Sequence, residues 1–449
     1  MATPVTAVFD IGKTNKKFFL FDKDFKEVYR VYETFPEIED EDGYPTDDLA
    51  SIEKFVSEKF QEILESEEYE VTTINCSTYG ASFVYLDSRG EVLTPLYNYT
   101  KPYPPEILEK FYKAYGNDLA IATETASPKL EMLNSGLQIY LLKHTQPEIY
   151  EKVRYALHLP QYISFLFTGI PVSEYTSIGC HTALWDFKKG DYHRWVYEEE
   201  IDRILPPIVS TDSAFLLNYQ GKQRRFGVGI HDSSAALIPY MKGEKKPFVL
   251  ISTGTWSICM NPFNTEPLTE SELNQDCLSF LRVDGSQVKS SRLFLGNEHK
   301  VQVAKLIDYF QKERSYQKAV TFDKSLYKEL RPNIQDDILP EDLSIFNSFE
   351  EAYHYLMIKL VDMQINSLKL ILGSEKIKKI YIDGGFANND IYVKLLANHF
   401  PQYKFRTTQA SLGSALGAAM VVSDKDLSGK FLKKNYGLRK HFPFLQINH

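Results

Sequence analysis

Two segments of this chain are built alike. The first runs from Thr6 to Asp22 as TAVFDI, GKTN, KKFFLFD: an apolar β-rich run, a turn of small polar residues, and an apolar return. The second runs from Lys246 to Met260 as KPFVLI, STGT, WSICM. About 240 residues separate them, far more than a solenoid unit spans. A repeat on this scale suggests two domains of one architecture facing each other. Pro239 and the segment MKGEKKP look like the connector, which divides the chain into 1–240 and 241–449.

The intervening patterns alternate strand and helix. EVYRVYETF continues the opening hairpin into a three-stranded meander. Helical spacing from Leu49 to Leu64 predicts an amphipathic helix, with Thr46 and Asp47 as caps. VTTINCSTYG reads as a strand entering a glycine loop, and SFVYLDSRGEVL as a hairpin around Ser88-Arg89-Gly90. SGLQIYLLKHTQPEIYEKV is helical with a break at Pro147, and HLPQYISFLFTG is a buried helix stopped by Gly169. The acidic run PEIEDEDGYPTDD reads as a solvated loop, and DFKKGDYHRWVYEEE as a polar surface helix. Later, the strand KIYIDGG precedes the helix IYVKLLANHF, and QASLGSALGAAMVV forms a small-residue helix. The fold class is α/β.

The net charge of −9 over 449 residues excludes a basic nucleic-acid footprint. Cys76, Cys180, Cys259 and Cys277 lie too far apart for a metal knuckle or redox pair and suit buried thiols in a reducing compartment. MATPVTAVFD has no basic n-region, and no window approaches ~18 apolar residues, so a soluble cytoplasmic protein without a membrane partner is expected. Oligomeric state stays open, a homodimer included.

Five motifs carry chemistry. In DIGKTN, Gly12, Thr14 and Asn15 offer donors to an anion, and Asp10 beside a phosphate calls for Mg²⁺ between them. In STGTW, Thr253, Gly254 and Thr255 repeat that offer. In GVGIHDSSAAL, Asp232 stands at a helix start, as an N-cap or as a general base aimed into the cleft. In DGGFANN, Gly384 and Gly385 admit a ligand close to the backbone, and Asn388 suits a cap or an amide contact to a purine. In ASLGSALGAA, small residues allow close helix packing or leave room for a flat ligand.

In this order the motifs resemble the FGGY family of carbohydrate kinases, within the ATPase superfamily of actin and hexokinase. The likeness runs from Val5 to about Val422 and includes STYGASFVYLDSRGEVL and LPQYISFLFTGIPVSEYTS. It implies two ribonuclease H-like domains around a central cleft, and ATP- and Mg²⁺-dependent phosphorylation of a sugar hydroxyl. It further implies Asp232 as catalytic base, Asp10 and Asp232 toward the metal, and the two turns with Gly384, Gly385 and Asn388 toward ATP. Ser77, Thr78, Tyr79, Gly80 and His231 fall on the sugar side. IHDSSAA looks closest to rhamnulokinase and L-fuculokinase, so a ketose such as L-fuculose, L-rhamnulose or a xylulose is the expected acceptor. The chain departs from the pattern at Lys13, where a small hydroxyl residue is usual, and at Ser77 and Ser82, where rhamnulokinases carry acids. An actin- or chaperone-like ATPase without an acceptor remains the alternative.

Overall fold

Thr3–Ile11 (β1) and Lys16–Asp22 (β2) pair antiparallel across the first turn, and Glu27–Glu33 (β3) adds antiparallel to β2. Tyr69–Thr78 (β4) runs parallel to the other side of β1. Ala214–Tyr219 (β5) and Lys222–Gly227 (β6) form a hairpin whose β6 arm runs parallel to β4, and Ile230–His231 (β7) joins β4 at Ser77 and Thr78. The computed structural model describes residues 2–374, 376–408, 413–425, 427 and 431–445.

The second sheet repeats the plan. Phe248–Thr253 (β8) and Ser257–Asn261 (β9) form the central hairpin. Cys277–Leu281 (β10) and Gln287–Leu293 (β11) follow, with β11 antiparallel to β9. On the other side Lys379–Gly384 (β12) runs parallel to β8, Lys404–Thr407 (β13) parallel to β12, and Arg439–His441 (β14) closes the edge. In each sheet the leading strand has antiparallel strands in succession on one side and, on the other, two parallel strands edged by an antiparallel one. This is the actin/hexokinase-like ATPase topology, twice. The leading strands β1 and β8 are buried over most of their length, so both read as near-continuous apolar runs.

Helices cover both sheets. Leu49–Leu64 (α1) buries Ile52, Phe55, Val56, Phe60 and Ile63 against the first. Its cap is Asp48, whose side chain accepts from Ala50 N; Thr46 instead donates to the Leu96 carbonyl and Asp47 receives lysines. Ser135–Thr145 (α2) stops before Pro147, and Leu159–Thr168 (α3) ends on Gly169 with φ +64°. Asp232–Gly243 (α4) carries Pro239 inside it, so the helix extends into the segment that the sequence marks as connector. Leu295–Tyr309 (α5), Phe349–Leu372 (α6) and Asp390–His399 (α7) belong to the second lobe.

Gly413–Val421 (α8) follows the second sheet in sequence yet bonds to the first, where the Asn75 amide donates to the Ala418 carbonyl at 2.8 Å. It crosses α4 so tightly that a Cβ on Gly417 would lie 1.8 Å from the Ala235 carbonyl oxygen. The small residues there serve packing. The lobes also meet at the β10–β11 hairpin: a Cβ on Gly179 would lie 2.3 Å from Leu281, and Thr211 N donates to the Val283 carbonyl at 3.2 Å.

Two surface readings change. The acidic run folds into a small hairpin, Glu37–Glu39 against Pro45–Asp47, and buries Asp40 on Lys101 and Asp47 on Lys16. DFKKGDYHRWVYEEE is no polar surface helix either, because its short helix buries Trp195 and Val196 completely. Among the described residues, no helix is long and apolar enough to cross a membrane.

Candidate active site

Between the lobes lies a cleft of about 650 Å³ lined by Asp232, Ser233, Ala236, Ser252, Thr253, Asp383, Gly384, Gly413 and Ser414. It brings together three residues chosen from sequence, Asp232, Thr253 and Gly384. Ser411 and Leu412, part of the SLGSALGAA motif, lie outside the described residues.

Asp232 is the first residue of α4, and the cap position belongs to His231. Its carboxylate therefore does not cap the helix; it accepts from Ser233 Oγ at 3.1 Å and faces His231 Nε2 at 3.3 Å. Burial raises its pKa, and the Asp10 charge adds to this, against His231 and Ser233. A carboxylate in the cleft wall, with the Asp10 charge near enough to act on it, suits a hard dication. No cluster of three or more His, Cys, Asp or Glu able to hold a metal exists among the described residues. Mg²⁺, which takes one or two carboxylates plus phosphate oxygens and water, fits that donor set.

Asp10, at the end of β1, is 4 % exposed and heavily engaged. It accepts from Ser77 Oγ at 2.6 Å, Ser414 Oγ at 2.9 Å and Lys17 Nζ at 2.9 Å. Ser414 thus links Asp10 to the cleft lining. Gly12, Thr14 and Asn15 stand in the turn beyond, closed by Gly12 N donating to the Asn15 carbonyl, and do not line the cleft. Lys13 neither faces the turn nor points freely into solvent. Its ammonium lies 2.8 Å from Asp47 and 3.1 Å from Glu37.

In the second turn, the Thr253 hydroxyl donates to the Asp383 carbonyl and accepts from Phe386 N, which straps the turn to the DGG loop. Gly254 and Thr255 are exposed, and the Thr255 carbonyl accepts from Gly296 N and Asn297 N at the start of α5. Gly384 has φ +82°, and a Cβ there would lie 1.8 Å from the Thr253 carbonyl oxygen, so only glycine fits. Nothing lies within 4 Å of a Cβ on Gly385. Asn388 is exposed outside the cleft lining, while Asn389 caps α7.

Of the residues expected to face a sugar, Ser77 donates to Asp10, Thr78 donates to the Tyr79 carbonyl, and Tyr79 donates to Asp47 at 2.7 Å. Each hydroxyl proton is thus engaged within the protein. Gly80 and His231 differ. A Cβ on Gly80 would lie 3.1 Å from the His231 ring, and His231 Nδ1 is buried without a partner among the described residues. His231 Nε2 faces Cys180 Sγ at 3.4 Å. Burial would lower the imidazole, but Cys180, Asp232 and Glu174 outweigh it and raise its pKa.

Sequence reasoning missed Lys17, Asp383 and Ser414. Lys17 was within reach, since it pairs with Asp10 in the β1–β2 register. Asp383 and Ser414 sit inside motifs read only for their small residues.

Two family models match the chain. The FGGY family of carbohydrate kinases, N-terminal domain, matches residues 5–229, and Carbohydrate kinase FGGY, C-terminal domain, matches 245–334. A rhamnulokinase of Oceanobacillus iheyensis is 26 % identical over 204 residues, covering 42 % of this chain and 41 % of that protein. One of Mannheimia succiniciproducens is 24 % identical over 267 residues, covering 58 % and 52 %. The chain thus spans about half or less of these relatives' length. A carbohydrate kinase from Novosphingobium aromaticivorans superposes with TM-score 0.81 at 24 % identity, covering 99 % of this chain and 95 % of that one. Plasmodium falciparum glycerol kinase with ADP gives 0.77 at 15 %, covering 99 % and 95 %. At such identities the superpositions speak to the fold.

Proposed function

Because this chain belongs to the FGGY family of carbohydrate kinases, we propose that it transfers the terminal phosphoryl group of ATP to a hydroxyl of a ketose, such as L-fuculose, L-rhamnulose or a xylulose. One observation carries the reading. The start of α4 puts the Asp232 carboxylate on a wall shared with Ser252, Thr253 and Gly384, while its neighbour His231 packs against Gly80. A base between a phosphate-side wall and a neutral polar loop suits hydroxyl activation.

Asp232 accepts the proton of the attacking hydroxyl. The His231 ring, packed against Gly80, fixes the loop that meets the sugar. Lys17 holds a positive charge beside Asp10 as negative charge develops on the transferring group. Mg²⁺, held by Asp10 and Asp232 with phosphate oxygens, would supply further charge neutralisation. Closure of the lobes excludes water as a competing acceptor. The four cysteines are all free and buried, which suits a reducing cytoplasm.

A coupled ADP-release assay with Mg-ATP against ketoses, aldoses and polyols tests the reading. One ketose should give a strong response. A flat panel with steady hydrolysis would instead favour an ATPase without acceptor.

A further inference from the structure

The lining of the Asp232 cleft includes two acids, Asp232 and Asp383, and no lysine, arginine or histidine. A phosphate chain meets repulsion there unless the acids are neutralised. The Asp10 charge acts on Asp232, and that pair suits Mg²⁺. Asp383 stands outside it: no charged side chain is among the groups that act on its carboxyl.

Asp383 lies near the end of β12 and is 5 % exposed. Its Oδ1 accepts from Gly384 N at 2.6 Å, and its Oδ2 accepts from the Tyr240 hydroxyl at 3.0 Å. Tyr240 belongs to α4 and also meets Thr408 Oγ1 at 3.1 Å. A Cβ on Gly413, itself in the cleft lining, would lie 3.5 Å from Oδ2, so Oδ2 stands on the Gly413 side of the cleft. Tyr436, whose hydroxyl is buried without a partner among the described residues, is close enough to feel the Asp383 charge.

The carboxyl is thus enclosed by neutral groups alone. Burial without a counter-charge disfavours the ionised form. It raises the Asp383 pKa, against Tyr240, Gly384 N and Thr408. Burial also pushes both phenols up, so Asp383 is the member of this cluster that titrates.

We propose that Asp383 is a nucleotide-binding residue that works as a neutral acid, holding a proton on Oδ2 and donating it in a hydrogen bond to a phosphate oxygen. The proton is drawn from solvent and is shared with the nucleotide, not transferred to it. An ionised carboxylate only accepts, whereas the protonated acid donates. Thr253 on the same wall cannot take this part, because its hydroxyl goes to the Asp383 carbonyl. The role rests on the kinase reading, which brings a nucleotide to the cleft.

The test uses the full chain and ADP, with and without Mg²⁺, followed by titration calorimetry and by infrared difference spectra of wild type against Asp383→Asn. At neutral pH the wild-type complex should show the carbonyl band of a protonated carboxyl, and Asp383→Asn should lack it. The asparagine amide is a neutral donor of the same shape, so this variant should bind ADP within about twofold of wild type. Asp383→Ala should bind about tenfold more weakly, the factor that ~1.4 kcal/mol represents, and equally so with or without Mg²⁺. A wild-type complex without the band overturns the neutral acid, as does an asparagine variant as weak as the alanine one. A loss confined to Mg-ADP also overturns it, since an ionised Asp383 would then be serving the metal. Wild type that binds no ADP at all faults the kinase reading itself, and the role of Asp383 falls with it.

Discussion

Lys17 Nζ lies 2.9 Å from Asp10 Oδ2, and the two residues face each other in the β1–β2 ladder. The register of one hairpin therefore decides whether a nearly buried carboxylate has its counter-charge.

Lys17→Met should leave that carboxylate uncompensated. Loss of one partner from a buried pair costs about 3–5 kcal/mol; Lys17 is 25 % exposed, so the lower end applies. A lower melting temperature and a kcat reduced about 10²-fold are expected, by calorimetry and the coupled assay. Wild-type turnover would remove Lys17 from the phosphate side.

Asp232→Asn should keep ATP affinity, read by titration calorimetry, and lower kcat by about 10²–10⁴-fold, the usual contribution of a positioned base. Near-normal turnover would mean that another group takes the proton.

Gly80→Val should act on the sugar alone. Its Cβ would press on the His231 ring from 3.1 Å. The sugar KM should rise while ATP binding stays unchanged, and equal effects on both substrates would contradict the assignment of this loop to the acceptor.

Gly417→Ala should strain the α4–α8 crossing, where the added carbon meets the Ala235 carbonyl oxygen. Overpacking of this kind costs about 1–3 kcal/mol, read as a lowered melting temperature.

Asp47 should mark the acid limb of stability. Burial would raise its carboxyl, but Lys13, Lys16 and Tyr79 outweigh this and hold it below the usual aspartate value. A depressed folded pKa stabilises above the unfolded value, near 3.8, and the gain is lost as pH falls through the folded value. Asp47→Asn should thus be less stable than wild type at neutral pH, with the gap narrowing below about pH 4. A gap independent of pH would show that the effect is not the charge.

The two hairpins, α1, and the ends of α2 and α3 were legible because their causes are local: apolar spacing, a proline, a left-handed glycine. Asp47 was not. It stands in a run whose composition says solvent, and the lysines that bury it lie 31 and 34 positions away. Ser414 reaches Asp10 across 404 positions. Trp195 shows the same limit, since the charges around it mask a side chain that the fold encloses. What the sequence could not convey was which polar groups fold inward to satisfy one another.

The lobes touch at the α4–α8 crossing and again where Leu281 meets Gly179. Ser414 on Asp10, Asn75 on the Ala418 carbonyl and Lys425 on Asp24 stitch the same seam. Any shift of one lobe against the other therefore has to shear several packed contacts together, and a substitution at one of them is felt by the rest.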